Sequence, residues 1–323
     1  MINVLFNTWS GAFFNPGGGE VQLLESRRHL QAAGVSVDLF DQWTPNRTPD
    51  VFHQFSIAPG VQYPMDEFRK RGIPIALSTI LWVKLAKENP ENARIKHIMS
   101  LADILMTNSV SESNLLADVF EIERSQFCET RNSVADEFLN RLTLDNFRLQ
   151  FQIEGDFILS VGNIDRRKNT KSLVEACKKL GKQLIVIGEI RDPGYYREIE
   201  FSIGCRYIGP IRKPSLLKSA YQQSILFALP SLCETPSIAA LEAASQGSRI
   251  AITSEGSARD YFGDRVTYFN GLDPFSIAEG IESELNYTRN SSELVEHIGS
   301  NYSWAKTAAD IIAGYNKLLK GQT

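Results

Sequence analysis

The 323-residue chain has few cysteines, no excess of positive charge and no long apolar run. Its four cysteines, at 128, 177, 205 and 233, form no CxxC pair, and no His follows at metal-ligand spacing. Such sparing use points to reduced, mostly buried thiols in a cytosolic protein, not to a disulfide scaffold. With 34 Lys+Arg against 38 Asp+Glu the formal net charge is −4. That balance excludes the basic footprint of a general nucleic-acid binder. The longest apolar stretches, such as Ile225 to Pro230, fall far short of the roughly 20 residues a membrane span requires. The opening MINVLFNTWSGAFF has no basic leader region and is broken by Asn, Thr and Ser, so it reads as a first strand and not as a signal peptide. Any membrane association is then peripheral.

Apolar residues at 43% and charged residues at 22% are those of an ordinary soluble globular protein. The length allows two domains or one large α/β unit. Short apolar runs alternate with amphipathic stretches throughout. Candidate strands of the first half are Ile2–Asn7, Val35–Phe40, Val51–Gln54, Pro74–Thr79, Asp103–Thr107 and Gln126–Glu129. The pattern restarts with Phe157–Val161, Gln183–Ile187, Arg206–Ile208, Ile225–Leu229, Arg249–Thr253 and Val266–Phe269. Strands this short, alternating with helices, imply parallel βαβ units with both faces of each sheet covered. The polar, poorly periodic Asn140–Glu154 is the candidate linker. The expectation is an α/β protein of two doubly wound Rossmann-like domains, residues 1–147 and 148–302. An amphipathic terminal helix from Ser303 either caps the second domain or returns to the first.

The stretch most informative about chemistry is Leu229 to Gly247. A buried strand ends near Pro230, Glu234 follows in the loop, Thr235 suits an N-cap, Pro236 suits the first helical position and Gly247 suits the stop. The free N–H groups at that helix start favour an anion, above all a phosphate. Glu234 and Glu242, the latter about two turns into the helix, are placed to accept hydrogen bonds from sugar hydroxyls. In a second stretch, Phe157 to Asn169, a buried strand enters a turn carrying Gly162, Asn163, Arg166, Arg167 and Lys168. Cations there can neutralise a diphosphate leaving group. The Gly17-Gly18-Gly19-Glu20 loop lets backbone N–H groups approach a phosphate or sugar closely, although its spacing is not GxGxxG. His53 ends a short strand at the carboxyl edge, where an imidazole can bond a phosphate or hydroxyl or act as a base. No GxSxG elbow occurs.

Together these motifs resemble the retaining glycosyltransferases of family four, with the two-domain GT-B fold and a nucleotide-sugar donor. The resemblance spans nearly the whole chain. It rests chiefly on Glu234-Thr-Pro-Ser-Ile-Ala-Ala-Leu-Glu242, which looks like the family's Glu-x7-Glu. Support comes from Gly162 to Asn169, Gly17 to Glu20, Tyr207 to Ile211, Asn132 to Phe138 and the Ser303-Trp304 helix.

The resemblance implies two domains facing each other across a cleft, with the terminal helix, 303–323, returning to the N-terminal, acceptor-side one. It implies that Glu242 holds the donor ribose and Glu234 the donor sugar. Thr235, Pro236, Ser237 and Ile238 would hold sugar and diphosphate at the helix start, and Ile211 the base. Lys168 with Arg167 would neutralise the diphosphate, and Gly18 and Gly19 would close over it. Two positions depart from the family's pattern. Asn163 stands where many members have Arg, and Ile80 stands near the place of a usual His. The expected activity is transfer of a hexose from a nucleotide diphosphate sugar to an acceptor hydroxyl with retention, in polysaccharide or glycoconjugate biosynthesis. The acceptor would be a glycan, a lipid-linked compound or a small molecule. No metal or other cofactor is expected, and the location is cytoplasmic or peripheral on the inner membrane face. The competing readings are a nucleotide-sugar epimerase of the same fold and a non-catalytic nucleotide-sugar-binding subunit. A product formed without acceptor, or donor binding without turnover, would distinguish them.

Overall fold

The computed structural model describes residues 1–14, 16–81, 90–202 and 204–321. The chain divides into two compact units, Met1–Asn132 together with the terminal segment from Trp304, and Ser133–Ser303. The boundary differs from the expected one at 147. Residues 133–147 belong with the second unit because Val134, Phe138 and Phe147 are buried in its core. The stretch expected as a linker is therefore packed structure.

In the first unit the described elements begin with β1 (Asn3–Asn7), α1 (Gly18–Ala32), β2 (Ser36–Leu39), β3 (Val51–Phe55), α2 (Gln62–Lys70) and β4 (Ile75–Ser78). They continue with α3 (Glu91–Ser100), β5 (Ile104–Thr107), α4 (Val110–Phe120) and β6 (Phe127–Glu129). All pairings are parallel, in the order β2-β1-β3-β4-β5-β6. Strands β3, β4 and β5 are buried along their whole length, as apolar runs covered on both faces should be.

The second unit holds α5 (Asp136–Leu139), α6 (Phe147–Phe151), β7 (Phe157–Val161), α7 (Thr170–Lys179), β8 (Gln183–Ile187), α8 (Pro193–Arg197) and β9 (Cys205–Tyr207). It continues with α9 (Pro214–Gln223), β10 (Leu226–Leu229), α10 (Ile238–Ser245), β11 (Ile250–Thr253), α11 (Ala258–Phe262) and β12 (Thr267–Phe269). It closes with α12 (Pro274–Asn286) and α13 (Ser291–Asn301). Its parallel sheet runs β12-β11-β10-β7-β8-β9. The two core clusters of this unit lie on opposite faces of the sheet. Phe157, Leu159 and Phe227 point one way, and Ile158, Leu226 and Ala228 the other.

The terminal helix α14 (Trp304–Lys320) belongs to the first unit. Its buried face carries Trp304, Ala308, Ile311 and Tyr315 and packs on α1, β5 and β6. A Cβ on Gly314 would lie 2.7 Å from Met106 Cε, so the missing side chain lets the helix approach β5.

Tyr315 also explains His53. The imidazole is fully buried, with Nδ1 2.6 Å from Tyr315 Oη and Nε2 2.9 Å from Ser78 Oγ, and it stacks on Phe55. Both ring nitrogens are engaged with protein, so the catalytic role expected for His53 is corrected to a structural one. Burial pushes its pKa down to about 3.

None of the four cysteines forms a disulfide. Cys177 and Cys205 are buried, while Cys128 and Cys233 are half-buried. Among the described residues no helix is long and apolar enough to cross a membrane.

The neutral His53 predicts a pH dependence of stability. Below its ordinary pKa of 6.5 the unfolded chain takes a proton that the folded core refuses down to about pH 3. Stability contributed by this group should therefore be full above pH 6.5 and decline as pH falls toward 3. In a ¹³C-labelled NMR titration the His53 ring signals should stay unprotonated to below pH 4. A ring that titrates near 6.5 would contradict the buried placement.

Candidate functional site

The strand order of the second unit reverses between β7 and β10. The chain goes from β7 to β8 on one side and later returns to pair β10 on the other. Loops leaving the carboxyl ends of such neighbours diverge and leave a crevice, the usual ligand position of open α/β sheets. The β7 loop runs over 162–169 and the β10 loop over 230–237.

Lys168 joins the two loops. Its Nζ donates to Oε1 of Glu234 at 2.5 Å, with the side chains 13% and 4% exposed. The backbone joins them as well, since the Leu232 N–H donates to the Arg167 carbonyl at 2.8 Å. The Asp165 carboxylate accepts the Lys168 N–H at 2.9 Å, which fixes the base of the lysine.

Two glycines, assigned no role from the sequence, set the backbone here. Gly256 has φ +106 and forms a parallel bridge with Glu234, and a Cβ there would lie 2.0 Å from the Glu234 carbonyl oxygen. Gly188, at φ +153, approaches Gly162 so closely that a Cβ would lie 1.8 Å from its carbonyl oxygen. The loop bearing Gly162 and Asn163 is further held by Gly162 N–H to Ile187 O and Ile164 N–H to Glu189 O, at 2.9 and 2.8 Å.

Helix α10 begins two residues later than expected. Ser237 is its N-cap, with its hydroxyl accepting the Ala240 N–H at 3.3 Å. Thr235 and Pro236 precede the helix, because the bridge from Glu234 to Gly256 keeps the chain extended up to the serine. The first-turn N–H groups of α10 thus follow the loop that carries Glu234. Gly247, at φ +85, follows the helix as a stop.

Glu242, in the middle of α10, is partly buried and accepts the Tyr221 hydroxyl from α9 at 2.9 Å. Burial raises its pKa to about 7, against the opposing effect of that hydrogen bond. Its carboxylate faces α9 and is not bonded to Lys168. Ile211, in the connection from β9 to α9, is half-buried against the core cluster containing Tyr221.

Arg166 and Arg167 differ. Arg166 is paired with the carboxylates of Glu198 and Asp192 and lies over the Tyr195 ring. Those partners commit it to α8, so it does not supply the charge missing at Asn163. Arg167 is exposed, and among the described residues its guanidinium has no ion-pair partner. Among the described residues no three His, Cys, Asp or Glu side chains converge as a metal-binding group.

In the first unit, Gly18 and Gly19 open α1 behind Gly17, whose N–H is accepted by the Glu20 carboxylate at 2.6 Å. Ile80, after β4, sits at φ +47, a left-handed conformation that a β-branched residue rarely adopts. The buried Glu112 holds the segment around it. Its carboxylate accepts from Thr79 Oγ1 at 2.6 Å, Leu81 N–H at 3.1 Å and Asn108 N–H at 2.8 Å. Burial lifts its pKa to about 7 despite these bonds. The spacing Ser109-x-x-Glu112 is a helix-start signature and is the sequence signal available for this residue.

Residues 144–301 match the family model described as glycosyl transferases group 1. The chain is 24% identical over 257 residues to D-inositol 3-phosphate glycosyltransferase of Corynebacterium urealyticum, covering 71% of this chain and 60% of that protein. Another curated relative is covered over 47% of its length, so the chain spans about half the length of these relatives. Among solved structures, sucrose-phosphate synthase from Thermosynechococcus elongatus superposes with a TM-score of 0.81 at 17% identity, over 99% of both chains. Anabaena HepE in complex with UDP and glucose superposes with a TM-score of 0.72 at 14% identity, over 98% of this chain and 100% of that one. The fold is thus GT-B.

Gly256→Ala should lower stability by about 1–3 kcal/mol from backbone strain alone, with the contact to Glu234 added. Urea denaturation of the variant, beside an alanine substitution at Gly204, which has open space, should show the difference. Equal effects would refute the steric argument.

Proposed function

We propose that the protein transfers a hexose from a nucleotide diphosphate sugar to an acceptor hydroxyl, with retention at the anomeric carbon. The observation that carries this reading is the part-buried Lys168–Glu234 pair at the strand-order reversal, in the loops beside the start of α10. The group 1 family match and the UDP and glucose bound to HepE support the donor class.

On this reading the ammonium of Lys168, with the first-turn N–H groups of α10, meets the donor diphosphate. Preorganised positive charge at the departing phosphate is the strongest stabilisation such a site can supply. Arg167, exposed beside it, adds charge from the solvent side. Asn163 and the Thr235–Ile238 backbone hold the diphosphate and sugar. Glu234, once Lys168 turns to the diphosphate, accepts hydrogen bonds from sugar hydroxyls. Glu242 accepts the two ribose hydroxyls, and Ile211 holds the base through its main chain.

The acceptor oxygen attacks on the face the leaving group departs from. The departing phosphate oxygen takes the acceptor proton, the C–O bond to the phosphate breaks and the new glycosidic bond forms. No protein nucleophile is needed. Lys168 and the helix start supply the positive charge, so the reading calls for no resident metal or other cofactor. It fits a cytoplasmic or peripherally membrane-bound enzyme of polysaccharide or glycoconjugate biosynthesis.

A thermal-shift screen of uridine, guanosine, adenosine and thymidine diphosphate sugars should identify the donor by stabilisation. With that donor, Lys168→Ala and Glu242→Ala should each weaken binding by about tenfold or more in calorimetry. If both variants fold and both bind normally, the site assignment is wrong.

The acidity of Glu242 adds a pH test. A carboxyl with pKa about 7 is half protonated at neutrality, and only its ionised form accepts from both ribose hydroxyls. Donor affinity should therefore rise as pH increases from 6 to 8, and Glu242→Gln should flatten that rise. An unchanged slope in the variant would remove Glu242 from the ribose.

A further inference from the structure

The first unit contains a cavity of its own, of about 630 Å³, that the donor chemistry does not use. Its position follows from topology. The order of this sheet reverses between β1 and β3, since the chain leaves β1 for β2 on one side and then adds β3 on the other. The cavity is lined by the segments that follow β1, β2 and β3. It therefore occupies the place where an open parallel sheet presents a crevice to a ligand.

Its lining combines aromatic faces with uncharged polar groups. Trp9, Phe13, Phe40, Trp43 and Tyr63 contribute rings. Trp43 and Tyr63 are 83% and 72% exposed, so both ring faces are open to a ligand. Two of the rings are carried on firm supports. Phe40 packs edge-to-face on Phe52 and Phe68 in the core. Trp9 lies over Gly11, where a Cβ would sit 2.3 Å from the indole. Between the rings stand Asn7, Thr8, Ser10 and Gln42.

The charge of the lining is equally specific. Among the described residues that line the cavity there is no Lys, Arg or His, and the one charged side chain is Asp41. Its carboxylate accepts the Trp43 N–H at 3.0 Å and the Thr44 hydroxyl at 2.9 Å, and those bonds hold it ionised. A phosphate or carboxylate entering this cavity would meet the Asp41 carboxylate, while Arg47, the cation close enough to act on Asp41, lies outside the lining and is paired with Asp38. A pyranose suits it instead. The axial C–H face of a sugar ring, polarised by its oxygens, lies favourably on the electron-rich face of an indole or phenol, and its hydroxyls find amide, hydroxyl and carboxylate partners. The volume falls in the roughly 300–1,000 Å³ range that encloses ligands the size of a disaccharide.

We propose that this cavity binds the acceptor, and that the acceptor is a neutral saccharide with one ring stacked on Trp43 or Tyr63. The proposal rests on the glycosyl-transfer reading for the word acceptor, but saccharide binding by the first unit stands independently of it. It excludes sugar phosphates and uronic acids as preferred acceptors.

The test uses the full chain and separates the two readings. Saturation-transfer NMR measures binding of maltose, cellobiose and N,N′-diacetylchitobiose against glucose 6-phosphate and glucuronate. The donor found by thermal shift is measured in parallel, and transfer to the same panel is assayed. At least one neutral saccharide should bind and accept sugar, while its phosphorylated or carboxylated counterparts bind about tenfold more weakly or worse. Trp43→Ala should weaken saccharide binding by about tenfold and leave donor affinity unchanged. Because the Trp43 side chain is mostly in solvent, that variant should fold. Gly11→Ala, which displaces the Trp9 ring, should weaken saccharide binding as well.

Charged sugars binding better than neutral ones would overturn the proposal. So would donor binding with no neutral saccharide bound, or saccharide binding indifferent to Trp43→Ala and Tyr63→Ala. Loss of phosphatidylcholine-vesicle binding in Trp43→Ala, with saccharide binding intact, would make the ring cluster a membrane contact and also overturn it. Saccharide binding without any nucleotide-sugar binding would support the proposal and sink the transfer reading.

Discussion

Two loops that should diverge are tied together by an ion pair and a backbone hydrogen bond, and the candidate donor site depends on that tie. Parallel pairing sends every strand of the second unit toward the same edge, and the reversal between β7 and β10 parts the loops there. Lys168 and Glu234 bring them back within 2.5 Å of each other. Glu234 is buried, and an uncompensated buried ion costs several kcal/mol, so the carboxylate needs the part-buried Lys168 beside it. Each therefore holds the other in the crevice. On the proposed reading, a diphosphate entering there would offer the ammonium a second anion and free the carboxylate for sugar hydroxyls. The pair thus ties the two loops across the crevice.

The two carboxyls lifted to about pH 7 show how similar acidity can accompany different tasks. Glu112 takes three donors from the protein, two of them backbone N–H groups, on both sides of Ile80. Its bonding capacity is largely spent on holding a strained turn, and strain of that kind persists only where surroundings over-determine it. Glu242 accepts from Tyr221 and keeps acceptor positions for a ligand. Burial explains both raised values. The remaining lone pairs distinguish the two, since Glu112 has spent most of its own on the protein and Glu242 has not.

His53 makes a similar point from the opposite side. Its position at the end of β3 is one that would suit a base. The helix that closes the chain supplies Tyr315, and Ser78 of the neighbouring strand supplies the second partner. The imidazole is thereby converted into a core residue. The partner 262 positions away in sequence is invisible to any local pattern. The glycines at 188 and 256 carry no local signal for the same reason, because each is required by a backbone segment distant in the chain.

What the sequence determined by itself was everything with a short period. The twelve strands, their parallel arrangement in two sets and the restart near residue 156 follow from runs of apolar residues that must be covered on both faces. The strand–loop–helix setting of Lys168, Glu234 and Glu242 was legible because each lies within a few residues of the element that positions it. Tertiary structure alone decided which charges meet. It paired Lys168 with Glu234 and withdrew Arg166 to Glu198. It moved residues 133–147 into the second unit and started α10 at Ser237. It also assembled the aromatic cavity of the first unit from three separate loops. The physical reason is common to all of these. Hydrophobic periodicity is encoded locally, whereas the partner of a buried polar group is chosen by whichever distant segment the packed sheet brings within about 3 Å.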